Sequence, residues 1–129
     1  MRAGLLTERI GIEAKSHGPN DEYGNPAILW DLRGTRWAHV RVLRGGETVQ
    51  AARLEGRQVL VVTVRADVLT RAIRPDWRLR DDRRGRVLEI TAPVAPTEDG
   101  AFVEITCEDR GEGMELSTFD PDAVTVVGV

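Results

Sequence analysis

Leu6-Thr7-Glu8-Arg9-Ile10-Gly11-Ile12-Glu13-Ala14 places Leu6, Glu8, Ile10, Ile12 and Ala14 on one side of an extended chain, and Thr7, Arg9, Gly11 and Glu13 on the other. Successive side chains of a strand point to opposite faces, so a two-residue period of this kind marks a half-buried β-strand. The same period returns further on. Residues 36–43 carry Ala38, Val40 and Val42 on one face, residues 86–94 carry Leu88, Ile90, Ala92 and Val94, and residues 101–108 carry Val103, Ile105 and Cys107. Residues 27–32 also read as extended, and Gly34 between them and the next strand marks a bend or bulge. Within 57–65 the run Val59-Leu60-Val61-Val62 is apolar on both faces, which places that strand centrally or against a neighbouring subunit.

Two stretches break the strand period. Residues 47–55 open with Glu47, continue through the helix formers Gln50, Ala51, Ala52 and Arg53, and are followed by Gly56, the pattern of a short helix or helical arm. Residues 67–74 pair Leu69 with Ile73 at four-residue spacing and stop at Pro75, which predicts one or two helical turns. Gly, Pro, Asn and Asp crowd into residues 16–26, read as a long surface loop. Short turns are expected at 81–85 and 97–100, the second a hairpin with Asp99-Gly100 at its tip and Pro96 lengthening it. The fold class that follows is mostly β: a small antiparallel barrel or sandwich of about six strands with one or two short helical segments. It comprises one domain over residues 1–109 and an acidic C-terminal extension over 110–129.

The totals agree with that architecture. The chain has 129 residues, 41% hydrophobic and 30% charged, in the range of an ordinary globular domain with a core of its own. No apolar run approaches the roughly 18 residues that cross a bilayer. The N-terminal residues turn polar too soon for a signal peptide, so synthesis and use on the cytoplasmic side are expected. The single Cys107 has no partner for an internal disulfide and reads as a small buried apolar residue. Six acids and one base over residues 108–129 give −5 against −3 for the whole chain, leaving +2 for residues 1–107. A nearly neutral body with an acidic end lacks the basic footprint of a dedicated nucleic-acid binder. Of the 18 basic residues only Lys15 is lysine, which points to a GC-rich coding genome.

Catalytic chemistry finds little to stand on. His17 and His39 are the only imidazoles, one in the Gly/Pro-rich segment and one between Ala38 and Val40. Two scattered histidines and one cysteine cannot complete a structural zinc site. Asp81-Asp82 and Asp120-Pro121-Asp122 suit a hard cation, but read first as turn formers on a solvated surface. Gly45-Gly46 before a helix start serves equally as an anion cradle or a hinge. Arg78, Arg80, Arg83, Arg84 and Arg86 form the strongest basic cluster, read as a solvated hairpin because Asp81 and Asp82 interrupt it and alternation splits it between faces. Of the three tryptophans, Trp37 is expected in the core, Trp77 begins a short strand, and Trp30 is open to either core or interface.

Taken in order, these landmarks resemble a known family. The opening Met1-Arg2-Ala3-Gly4-Leu5-Leu6 with Arg9-Ile10-Gly11-Ile12 resembles the first strand of the head–tail joining (head completion, or stopper) proteins of tailed bacteriophages and phage-like gene transfer particles. Asp21-Glu22-Tyr23-Gly24-Asn25-Pro26 running to Trp30 is similar to that family's loop, and Trp37-Ala38-His39-Val40 with Leu43, Gly45 and Glu47 to its second landmark. Gly85-Arg86-Val87-Leu88-Glu89-Ile90 and the strand through Ile105 resemble its final hairpin. The resemblance covers residues 1–109; it departs by extra residues over 65–77 and by the extension from 110.

The resemblance implies a homo-oligomeric ring, often a hexamer, in the virion at the head–tail interface, made in the host cytoplasm. A portal or adaptor ring would lie on the head side and a tail terminator or tail tube protein on the tail side. DNA would pass through the channel without specific binding, with no membrane, cofactor, metal or catalytic residue involved. Candidate contacts with neighbours are Asp21, Glu22, Tyr23 and Asn25 in the loop, Trp30 beside it, and Arg44, Glu47, Gln50 and Arg53 on the arm. Val126 and Val127 are candidates for a strand added to a partner. The alternatives are another connector role, as tail terminator or adaptor, and a single-stranded nucleic-acid-binding barrel. The latter needs aromatics interleaved with bases on one face.

Overall fold

A computed structural model describes residues 3–20 and 22–109. A 3₁₀ turn at Ala3–Leu5 precedes β1 (Glu8–Asn20) and β2 (Pro26–Val42), and α1 (Glu47–Leu54) leads into β3 (Gln58–Arg65). After α2 (Val68–Arg71) come β4 (Arg78–Asp81), β5 (Arg86–Ile90), β6 (Ala95–Pro96) and β7 (Phe102–Asp109). Every pairing is antiparallel, and the seven strands form one sheet in the order β3-β2-β1-β4-β5-β7-β6. An eight-position ladder between β3 and β7 links the two sides of that order, so the pairings return to their start and β6 attaches to β7 alone. Closure of this kind pairs strand edges that would otherwise be open to foreign strands.

The alternating faces meet inside the circuit. Ile10 and Ile12 of β1, Leu60, Val62 and Val64 of β3, Leu79 of β4, Leu88 of β5, and Val103, Ile105 and Cys107 of β7 are at most 2% exposed, and Ala38 and Ile73 pack with them. Each such Val, Leu or Ile contributes roughly 1.5–3 kcal/mol by leaving water. The apolar run of β3 is accounted for on both sides. Leu60, Val62 and Val64 face the core, while Val59 packs against Val49 and Ala52 of α1 in a second, smaller cluster with Leu43. The strand is central, between β2 and β7, as its composition requires.

Both helices lie where the sequence puts them. Helix α1 ends at Leu54, and Gly56 adopts φ +78°, a left-handed conformation that a side chain would strain. Helix α2 begins with a reciprocal cap. Asp67 Oδ1 accepts from the Thr70 amide at 2.8 Å, and Thr70 Oγ1 accepts from the Asp67 amide at 2.8 Å.

The structure departs from the sequence reading in four places. Residues 16–26 are not a long loop: β1 runs on to Asn20 and pairs with β2 through Asn20 and Pro26, leaving a turn of a few residues. Residues 27–32 and 36–43 are one strand, and its irregularity sits at Gly34. Ile12 pairs with Gly34 and Glu13 with Leu32, so Arg33 is the extra residue of a bulge. A Cβ on Gly34 would come within 2.9 Å of Leu69 Cδ2, so a larger residue there would have to displace the Leu69 side chain. The alternation of 86–94 stops at Ile90, and Pro93, lacking an amide hydrogen, interrupts the continuation toward β6. Finally, Trp37 is not core: its side of β2 points outward and it is 54% exposed.

Cys107 is fully buried, with its thiol toward the Leu60 carbonyl at 3.8 Å. Burial, opposed only partly by the Arg86 charge, pushes its pKa from 9.0 up to about 12. Because the folded value is raised, this thiol leaves stability intact below pH 9 and lowers it as pH rises toward 12. Under native conditions near neutrality, an aromatic disulfide reagent should label Cys107 only at the rate of global unfolding. Rapid stoichiometric labelling without denaturant would contradict that burial.

Candidate functional site

Beyond Ala14, β1 pairs with β2 and with no other described strand, since β4 contacts it only at Gly11, Ile12 and Glu13. The hairpin therefore continues as a two-stranded ribbon past the body of the sheet. Ser16 pairs with Leu29 and His17 with Ile28, so the two apolar residues lie on opposite faces. Ile28 is 53% exposed, Leu29 47%, and Tyr23 at the tip 82%. The ribbon thus exposes one large apolar side chain on each face and an aromatic at its end.

At the root of the ribbon lies a charged layer on the outer face of the sheet. Glu13 and Arg78 stand directly opposite each other on β1 and β4, and Arg78 Nε donates to Glu13 Oε1 at 2.5 Å. Arg80 Nη1 reaches the other carboxylate oxygen at 3.3 Å. Trp30 covers the pair, its ring 4.3 Å from the Arg78 guanidinium, and the side chains of Glu13 and Arg78 are 4% and 8% exposed.

A second group forms where β4 turns into β5. Asp81 is fully buried and accepts from Arg86 Nε at 3.0 Å and Arg84 Nη1 at 3.2 Å. Arg84 also holds both oxygens of Glu8, at 2.8 and 3.0 Å. Of the five arginines read as a solvated hairpin, Arg78, Arg80, Arg84 and Arg86 are held in ion pairs, while Arg83 stays exposed, and Asp81 is not a surface turn former. Burial of the acids on the strands beside them has drawn the guanidinium groups into ion pairs within the chain.

This pairing has a pH signature. The hydrogen bond from Arg84, with the charges of Arg84, Arg83 and Arg86, holds the Glu8 carboxyl below its ordinary 4.5, against the opposing effect of burial. Burial pushes Asp67 upward, but the Thr70 amide, Arg36 and the Thr70 hydroxyl together outweigh it, and its pKa lies below 3.8. Depressed folded values mean stability that is present above these ordinary values and lost as pH falls through the folded ones. Urea midpoints should hold from pH 7 to about 5 and drop below pH 4. Glu8→Gln should flatten that acid limb, and an unchanged slope would remove Glu8 from the account.

A third feature is a shallow apolar surface with arginines around it. One groove is lined by Leu6, Arg9, Trp37 and Arg65, an adjoining one by Arg33, Val68, Leu69 and Trp77, and Arg36 and Asp67 line both. Arg36 Nε bonds Asp67 Oδ2 at 2.8 Å on the saddle between them. Arg9 lies 5.1 Å from the centre of the Trp37 ring, and Val68 is 86% exposed.

The interface candidates fall into two groups. Glu22, Tyr23 and Asn25 gather, exposed, at the ribbon tip. Arg44, Glu47, Gln50 and Arg53 lie exposed on α1 and the segment before it, where Gln50 Nε2 donates to the Arg44 carbonyl at 3.0 Å. Trp30 is half-buried over Arg78, apart from the tip. Asp21, Val126 and Val127 lie outside the described residues, as does the whole extension from 110. His17 is exposed and His39 half-buried, facing Thr63 across the β2–β3 pair. Among the described residues no three His, Cys, Asp or Glu side chains come together as a metal-binding group. The sequence reading missed the Arg9–Trp37–Arg65 surface, although the outward phase of Trp37 opposite Ala38 was visible.

Over residues 1–110 the chain matches the family model described as phage head completion protein. The chain belongs to that family. The match runs one residue past the last described residue of β7, so the extension from 111 is additional to what defines head completion proteins. No curated protein matches the chain at a significant level. Among solved structures, the solution structure of a Shigella flexneri 2a protein aligns with TM-score 0.64 and 24% identity, covering 87% of this chain and 99% of that one. A chain of the native gene transfer agent virion aligns with TM-score 0.53 and 22% identity, covering 80% and 93%. At these identities the likeness is one of fold. As a head completion protein, the molecule is a structural component of the virion at the head–tail interface and assembles with other virion proteins.

Proposed function

We propose that this head completion protein forms a closed homo-oligomeric ring, of six copies, that seals the DNA-filled head and presents a platform for the tail. The observation that carries the reading is the family match over the entire described fold. In this ring the portal or adaptor contacts one face and a tail terminator or tail tube protein the other. Ring contacts are heterologous, one patch meeting a different patch on the next copy until the rotation closes. The exposed ribbon supplies one patch, through Glu22, Tyr23 and Asn25 with Ile28 and Leu29 behind them. The α1 arm supplies another, through Arg44, Glu47, Gln50 and Arg53. Residues 124–129 add a strand to a partner through Val126 and Val127. Because Arg78, Arg80, Arg84 and Arg86 are held by acids of the chain itself, the protein suits a passage that must not grip phosphates strongly.

Electron microscopy of lysates from a strain lacking the gene tests this reading. Heads that package DNA and then lose it, beside finished free tails, are expected. Normal tailed particles would reject the role and direct attention to single-stranded DNA binding.

A further inference from the structure

The family match stops at residue 110, and residues 111–129 hold four acids, Glu112, Glu115, Asp120 and Asp122, with no lysine or arginine. Apolar Met114, Leu116 and Phe119 are interleaved with them. The described body carries a surface of complementary character. Arg9, Arg33, Arg36 and Arg65 line the two joined grooves, with Asp67 the only acid among the described lining residues, and Trp37 and Val68 stand exposed between them. Asp67 is already bonded to Arg36, and Arg65 makes no ion pair among the described residues. Among the described residues, Arg9, Arg33 and Arg65 are therefore left without a carboxylate, Arg9 beside the exposed Trp37 ring and Arg33 beside Trp77.

We propose that the acidic extension folds back on its own chain and docks in this groove, with Phe119 against Trp37 and Asp120 and Asp122 on Arg65 and Arg9. Reach permits it. Asp109 pairs with Gln58 at one end of the β3–β7 ladder, and the groove begins at the other end, where Arg65 pairs with Phe102. Seven strand steps span about 23 Å at about 3.3 Å each. The ten residues from 110 to Phe119 extend to at most about 33–36 Å, enough to return along the strand with a turn. Tethering on one chain makes the second contact intramolecular, with an effective concentration of roughly millimolar, so weak charge pairs suffice. The same-chain arrangement is favoured on that ground over the tail of a second copy. Residues 124–129 extend beyond the groove and remain available to a partner. This inference rests on charge, exposure and reach and does not depend on ring formation.

The test uses the full chain carrying Ser117→Cys with a nitroxide label, Cys107 being buried and inert. Amide signals of residues 6–9, 36–37 and 65–68 are compared between the oxidised and reduced label. Strong broadening confined to those residues is expected, with loss of most of it in Arg65→Glu or in 0.5 M salt. A mixed sample of labelled unenriched chain and unlabelled enriched chain should show none. Broadening centred elsewhere, broadening unchanged by Arg65→Glu, or equal broadening in the mixed sample would each overturn the proposal, the last assigning the groove to a second copy.

Discussion

Replacing Glu13 with alanine should destabilise the protein by about 3–5 kcal/mol, the loss expected when one partner of a buried ion pair is removed. Arg78 would remain on β4 beneath the Trp30 ring without the Glu13 carboxylate, and Arg80 would lose the same acceptor while keeping Asp82. Glu13→Gln keeps the shape and one acceptor oxygen, and should fall between wild type and Glu13→Ala. The double variant Glu13→Leu/Arg78→Met removes both charges together and should lose much less than the sum of its single changes. Urea unfolding at pH 7 measures wild type, Glu13→Ala, Glu13→Gln, the single changes Glu13→Leu and Arg78→Met, and the double variant. Strict additivity would show that the pair carries no coupling and that the layer is surface decoration.

Leucine truncation gives the second large contrast. Leu60, the third residue of β3, is fully buried, facing Val42 of β2 on one side and Cys107 of β7 on the other. Leu60→Ala should cost about 2–5 kcal/mol, a large share of the stability of a domain that starts with about 5–15 kcal/mol. Leu54, at the end of α1, is 89% exposed, and Leu54→Ala should change stability by no more than about 0.5 kcal/mol. Should the two substitutions cost the same, the division between the core strand and the exposed face of α1 would be wrong.

These two contrasts also show what the sequence could and could not disclose. Leu60 was legible because a strand buried on both faces has to be apolar on both faces, and the pairings with β2 and β7 plus the packing of α1 supply both covers. Gly34 was legible as a bulge for a similar local reason. The Glu13–Arg78 pair was not, because its members are 65 positions apart and nothing local marks which acid meets which arginine. Asp81 looked like a turn residue because the turn is local, whereas its burial depends on Arg84 and Arg86 closing over it. The ribbon was mistaken for a loop because, outside the core, a strand has no buried face to impose alternation. Trp37 shows a different failure. Its position opposite in phase to Ala38, Val40 and Val42 already directed it outward, and the general preference of tryptophan for interiors was allowed to outweigh that phase.

At the site the division is the same. The order of short motifs was enough to indicate the head completion family, since each marks a place where the backbone must turn or pair. The contacts of the proposed ring would depend on surfaces of neighbouring copies, which a single chain does not encode locally. The measurement that tests the ring directly is cryo-electron microscopy of the neck of purified particles, with this chain fitted between the head and the tail. A closed ring is predicted, with each β1–β2 ribbon lying against the next copy and Tyr23, Ile28 and Leu29 in the contact. A neck without this chain, or with single copies whose ribbons touch no neighbour, would contradict it.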